Sequence, residues 1–366
     1  MSHLRAGLLA VAAAMAMAAH SAAVTPLRSA DGQFWDIQDT SPWAQDSGAI
    51  ATGGRANPFN GFGYLKLEVG RPGSAPTVRN QYLRGFDLAF DGESRFDSVT
   101  PVLADGVVVS RAIYAPPTSD YLRYYDSVYN STDEPRAVRV AWGGAAGAFE
   151  DGGRVAVAVT SSGDRTIDAS DTFVTLMQNA RGAADPRQGP SGHGPSAHVL
   201  GTTPGVFTAA GDMYADPFAN PYPGYDPAHV GYVFSLALAP GETRALATFV
   251  VKGLSEVYDP RGGFPIPRTD ALLSNWSSPV YTGPDARVPA AGSEIARVTR
   301  IARDLVARPD FSGLTPRERA RVANWPAAAA APEPFTVVEQ TVPALAAAMT
   351  RGEVTSADIV REHSRA

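Results

Sequence analysis

The chain has 366 residues, 31 basic side chains against 37 acidic ones, and no cysteine. The lack of cysteine excludes disulfides, thiolate metal sites and a cysteine nucleophile. The net charge of −6 argues against nucleic acid as a partner, because phosphate binding needs clustered Lys and Arg.

Met1–Arg5 is short and carries one positive charge, and residues 6–19 are apolar without interruption. Ser21, Ala22 and Ala23 supply the small residues of a signal-peptidase site, so cleavage is expected after Ala23. The apolar run is shorter than the roughly 20 residues a membrane-spanning helix requires. It reads as a Sec-type signal peptide over 1–23, with no twin-arginine pair and no membrane span after cleavage. Lys66 and Lys252 are the only lysines among many arginines, which with abundant Ala, Gly and Pro points to a GC-rich bacterial genome. The expected location is periplasmic or secreted.

From about Gly61 to Val251 short apolar runs alternate with turn residues. Tyr64–Val69 reads as a strand, as do Val107–Val109 and Ile113–Tyr114, entered through Asp105-Gly106. Leu122–Tyr129 and Ala137–Trp142 flank Asn-Ser-Thr-Asp-Glu-Pro, a pattern that predicts a hairpin. Val155–Thr160 turns through Ser-Ser-Gly-Asp, and Val230–Leu238 returns as Ala245–Val251. This spacing predicts a large antiparallel β-sandwich over 24–289, with long loops between Gln178 and Pro227. Ile295, Val298, Ile301, Leu305 and Val306 then recur at helical spacing. Thr315, Pro316 and Glu318 form a capping box with a proline, so 290–325 is expected to be a helical segment. Residues 326–334 read as a Pro/Ala linker.

Residues 335–366 predict two short helices, one over Pro343–Arg351 closed by Gly352 and one capped by Thr355 with Asp358. Phe335, Glu339, Leu345, Met349, Gly352, Val354, Thr355, Ser356 and Val360 together resemble the opening of amidase-signature enzymes. The resemblance implies the first two helices of an incomplete α/β amidase domain and hydrolysis of a carboxamide by a serine nucleophile. In that family the proton passes through a cis-peptide serine to a lysine, and a Gly/Ser-rich loop supplies the oxyanion donors. No such loop occurs here: Ser161-Ser162-Gly163 reads as a hairpin turn, and Lys66 and Lys252 read as surface or strand-edge residues. No catalytic residue is assigned, and hydrolysis is expected to lie in a part absent from this chain. The leading expectation is an accessory N-terminal module of an exported amidase.

The alternative is a carbohydrate-binding or mutarotase-like sandwich. Trp35, Trp43 and Tyr64 flank a turn-rich stretch that also holds Asp36, Asp39 and Asp46. Trp35, Trp43 and Asp46 are its candidate ligand-binding residues, the rings stacking on a sugar and the carboxylate accepting from hydroxyls. The preferred reading of these rings is that they plug the edge of the core, where aromatic side chains usually go. The expected ligand is a cell-envelope component or a glycan. His193, His198, His229 and His363 show no metal-ligand spacing and are read as solvated, so neither metal nor cofactor is expected.

Overall fold

The computed structural model describes residues 25–28, 34–39, 46–50, 59, 61–146, 154–179, 195–203, 205–222, 229–253 and 291–325. The signal segment, Trp43, the linker and residues 335–366 lie outside them. The strands are β1 (Thr25–Arg28), β2 (Phe34–Ile37), β3 (Phe62–Gly70), β4 (Val78–Leu83), β5 (Leu88–Phe90), β6 (Arg95–Ser98), β7 (Val102–Ala104) and β8 (Val107–Tyr114). They continue with β9 (Tyr121–Asn130), β10 (Arg136–Ala145), β11 (Arg154–Thr160), β12 (Phe173–Asn179), β13 (Ser196–Val199), β14 (Phe207–Asp212), β15 (His229–Leu238) and β16 (Thr243–Lys252). Two helices follow, α1 (Ala291–Ala307) and α2 (Pro316–Ala320).

Period-two burial sorts these strands into layers. In β3, Leu65, Leu67 and Val69 are fully buried, while Tyr64 and Lys66 between them are half-buried on the opposite face. Val138, Val140 and Trp142 of β10 and Tyr232, Phe234 and Leu236 of β15 face the same interior. The result is an antiparallel β-sandwich. One sheet has the order β14-β15-β10-β3-β4, and the β1-β2 ribbon joins it through the Ile37–Ile50 and Ile50–Phe62 bridges. The other has the order β11-β12-β13-β16-β9-β8-β6-β5, with β7 beside β8.

The β7–β8 connection is the tight turn expected at Asp105-Gly106, both residues taking positive φ. The hairpin expected across residues 130–135 does not form. β9 pairs with β8 and β16, whereas β10 pairs with β3 and β15, so the chain crosses from one sheet to the other there. Asn130 supports the crossing: its Nδ2 donates to the carbonyls of Glu134 at 2.7 Å and Ala239 at 3.1 Å. Residues 239–242, after β15, make the second crossing, and the Asn130 carbonyl accepts from Gly241 N–H.

The large sheet buries its outer face as well over β12, β13, β16 and β9. Its outer side chains Phe173, Val199, Ala247 and Phe249 pack against Val298, Ala302 and Leu305 of α1 and against Phe311 and Trp325. The i, i+4, i+7 spacing of those α1 residues makes the required stripe. α2 begins with the expected capping box: Thr315 Oγ1 accepts from Glu318 N–H at 3.1 Å, and Glu318 Oε2 accepts from Thr315 N–H at 2.8 Å. The segment after it repairs an edge. β13 pairs with β16 only from Phe249 to Lys252, and residues 321–325 continue in its place. Ala245 N–H donates to Arg321 O, Ala323 N–H donates to Ala245 O, and the Asn324 side chain both accepts from and donates to the Ala247 backbone.

A charged pair sits inside the sandwich. Arg111 of β8 and Asp126 of β9 are cross-strand partners facing the core, joined by two hydrogen bonds of 2.7 and 3.0 Å. Arg111 also donates to the carbonyls of Ser47 and Gly63, and its guanidinium lies 4.7 Å over the Tyr124 ring. Removing the cation strands a carboxylate in the core. Arg111→Met is therefore expected to destabilise the fold by about 3–5 kcal/mol, whereas Arg111→Met with Asp126→Leu costs far less. Urea unfolding of the three chains checks this.

Candidate functional site

The outer face of the smaller sheet carries no helix among the described residues. At one level across four strands stand Tyr64, Gly143, Gly231 and Gly211, directly paired in register. Glycine leaves this lane without side chains, and the connection after β14 lies down on it. A Cβ on Gly211 would overlap the Pro217 carbonyl, and one on Gly143, at φ +157°, would overlap the Val230 carbonyl. The absence of a side chain is therefore required at both positions.

The connection over 213–222 is held from several sides. Asp212 accepts from Tyr214 N–H at 2.9 Å, and Asp216 accepts from Phe218 N–H at 3.0 Å. From the sheet, Lys66 Nζ and Asn80 Nδ2 donate to the Ala215 carbonyl at 2.7 and 3.1 Å. Arg139 donates to the Phe218 carbonyl at 3.0 Å and stacks on its ring, while pairing with Glu68 at 2.7 Å.

Between this connection and β3–β4 a cleft of about 260 Å³ remains. Its walls are Tyr64, Lys66, Tyr82, Met213, Tyr214 and His229, and its floor is the backbone around Gly61 and Gly144. Tyr64 and Tyr82 meet edge to face with ring centroids 5.1 Å apart. Burial pushes both phenols above their ordinary value, so they stay protonated near neutral pH. Burial also holds the Lys66 ammonium below its ordinary value, against the opposing pull of Asp216 and Asp212. Tyr214 is 67% exposed at the mouth and packs edge-on against His229. The lining thus offers aromatic faces, phenol hydroxyls and an imidazole. It contains no carboxylate among the described residues, and no cluster able to hold a metal occurs among them.

The structure places two of the sequence-derived candidates, Trp35 and Asp46, outside the lining of this cleft. Trp35 is 1% exposed, stacked on Phe59 with Lys252 over its ring, and it fills the edge of the core. Asp46 accepts from the backbone N–H groups of Asp87 and Leu88 and fastens those residues to the core. Trp43 lies outside the described residues. Lys252 is buried in β16, and Lys66 lines the cleft, so neither is a simple surface residue. His198 is a buried core residue of β13: Nδ1 lies 2.7 Å from Tyr232 Oη, and Nε2 lies 3.1 Å from Ser196 Oγ. Its strand, Ser-Ala-His-Val, is too short to show a period and was hidden by its Gly/Pro surroundings. The cleft residues Tyr82, Tyr214 and His229 were not singled out as a site. Glycines inside otherwise regular strands, Gly143-Gly144 and Gly231, were the available signal.

No family model and no curated protein matches the chain. Among solved structures it is similar to a polysaccharide lyase, at 10% identity and a TM-score of 0.32. The match covers 62% of this chain and 29% of that one, so the chain spans less than a third of that protein's length. A likeness of this extent assigns no function. The amidase resemblance is overturned: no amidase model matches, and the described residues form antiparallel sheets without α/β content. The capping signals in 335–366, themselves outside the described residues, are those that any helical hairpin carries. The reading of the chain as an accessory module of an amidase falls with them.

His198 carries a pH signature. Burial pushes its imidazole down to about 3, below the unfolded value near 6.5, so the unfolded chain takes up the proton more readily. Its contribution is complete above about pH 6.5 and is lost as pH falls towards 3, at up to about 1.4 kcal/mol per pH unit. In urea unfolding between pH 7 and 4, stability should fall more steeply with pH in the wild type than in His198→Asn, the difference being the histidine's share.

Proposed function

We propose that the protein is an exported glycan-binding β-sandwich whose outer cleft takes a sugar ring. The observation that carries the proposal is the exposed Tyr214 ring at the mouth of a glycine-floored cleft, with the paired phenols of Tyr64 and Tyr82 inside. A sugar ring presents apolar C–H faces and a rim of hydroxyls. Tyrosine combines an aromatic plane with a hydrogen-bonding tip and suits both. The cleft is slightly smaller than the roughly 300 Å³ at which pockets for drug-sized ligands begin, which suits one ring rather than a long chain segment. Glycoside hydrolysis uses two carboxylates roughly 5–10 Å apart. The described lining supplies neither. The signal-like residues 1–23 support export to a compartment where envelope and extracellular glycans are met.

On an oligosaccharide array the full chain should retain a defined set of glycans. Tyr214→Ala and Tyr64→Ala should each weaken that binding at least tenfold with little change in urea midpoint for the exposed Tyr214. Retention of no glycan, or binding indifferent to both substitutions, would count against this cleft. Export is checked separately: expression in a bacterial host should yield a product beginning at Val24 outside the cytoplasm. An uncleaved cytoplasmic chain would reject that part of the proposal.

A further inference from the structure

Lys66 is the cation lining the cleft among the described residues, and an ammonium in a sugar site ordinarily invites a carboxylated ligand. Its surroundings here speak otherwise. Nζ donates to the Ala215 carbonyl at 2.7 Å, and that carbonyl belongs to the residue directly after Tyr214. Asp212 at the end of β14 and Asp216 on the connection act on Lys66 electrostatically. Both carboxylates are in turn fixed, since each accepts backbone N–H groups of the turn they shape.

The neighbouring cations are matched as well. Arg139 is paired with Glu68 at 2.7 Å one level along the sheet, and Arg111 beneath the cleft is paired with Asp126 at 2.7 Å. Around Lys66, then, one positive charge stands against two negative ones, and one of its three donors is already taken by the Ala215 carbonyl. A uronate in the cleft would bring a third carboxylate to an ammonium that Asp212 and Asp216 already act on, with no second cation among the described lining residues to offset its desolvation. A neutral sugar would lose nothing by the same arrangement, because hydroxyls accept and donate without bringing charge.

We infer that the cleft selects uncharged sugars over uronates, and that Lys66 serves as a positioning residue that holds Tyr214 at the mouth by its bond to Ala215. The inference rests on the glycan-binding reading of this cleft and specifies its ligand class. Lys66 reaches Ala215 from β3 while Asn80 reaches the same oxygen from β4, so the two strands set the height of the Tyr214 ring together. The ammonium therefore acts on the ligand through the aromatic platform and not by direct charge pairing.

The test is calorimetric titration of the full chain with neutral oligosaccharides of glucose, mannose and galactose, and with the same oligosaccharides oxidised to uronates at C6. The expected result is at least tenfold tighter binding of neutral members, with affinity that changes little between 50 and 500 mM salt, a range over which charge pairing is strongly screened (Debye length about 10 Å at 0.1 M). Lys66→Met keeps the aliphatic stem and removes the donor. It should weaken neutral binding several-fold while leaving the neutral preference and the salt independence intact. Tighter binding of the uronates, lost in Lys66→Met and screened by salt, would overturn the inference while leaving the glycan reading standing. If neither series binds, and the array is equally blank, the glycan reading itself fails and the inference with it.

Discussion

A guanidinium is tolerated inside a protein only where acceptors already stand around it, and the sandwich is arranged to provide them for Arg111. Asp126 answers from the neighbouring strand of the same sheet, while the carbonyls of Ser47 and Gly63 come from the opposite layer. Apolar contact is non-directional and fixes the relative placement of two sheets weakly. Hydrogen bonds from one planar cation fix it strongly. Tyr124 closes the arrangement, covering the guanidinium with its ring and donating its hydroxyl to the Gly48 carbonyl at 3.0 Å. Gly63 directly precedes Tyr64, so the contact that sets the distance between sheets also sets where the first wall of the cleft stands.

The two outer faces solve the same burial problem by different means. Part of the large sheet is apolar on its outside and takes a helical layer, where the rings of Phe249, Phe311 and Trp325 each meet the other two. The small sheet instead alternates core residues with Lys66, Glu68 and Arg139, which favour a polar, adaptable covering. A turn supplies it. Because the turn rests on glycine, it lies close to the strands, and because it reaches only part of the face, a concave space is left beside it. Aromatic side chains stand at that step, and the cleft itself follows from the mismatch in coverage.

Much of this architecture was legible in the sequence wherever the signal was local. Alternation in Tyr64–Val69, the positive-φ pair Asp105-Gly106 and the Thr315–Glu318 capping box each depend on a few adjacent residues, and each stands as read. Sheet membership was not legible. Residues 122–129 and 137–142 look like two arms of a hairpin because alternation reports only that one face is buried, not which partner covers it. Trp35 illustrates the same limit at a single residue, since an aromatic ring near turn residues serves a core edge or a ligand equally well. The cleft was hidden for a further reason: its walls come from β3, β4, the connection after β14 and the first residue of β15, and no sequence window contains them all.

The segment Arg321–Trp325 carries one more implication. A strand as long as β16 with a four-residue neighbour presents bare backbone donors and acceptors over the remainder of its length. Such an open edge is a template onto which another polypeptide can add a strand. Here the chain occupies its own template, with Asn324 imitating a backbone amide against Ala247 and the Trp325 indole donating to the same carbonyl at 2.9 Å. The helical region thus does more than cover apolar surface. It acts as a built-in guard against self-association, and solubility of the sandwich becomes a property of residues that lie well outside its strands.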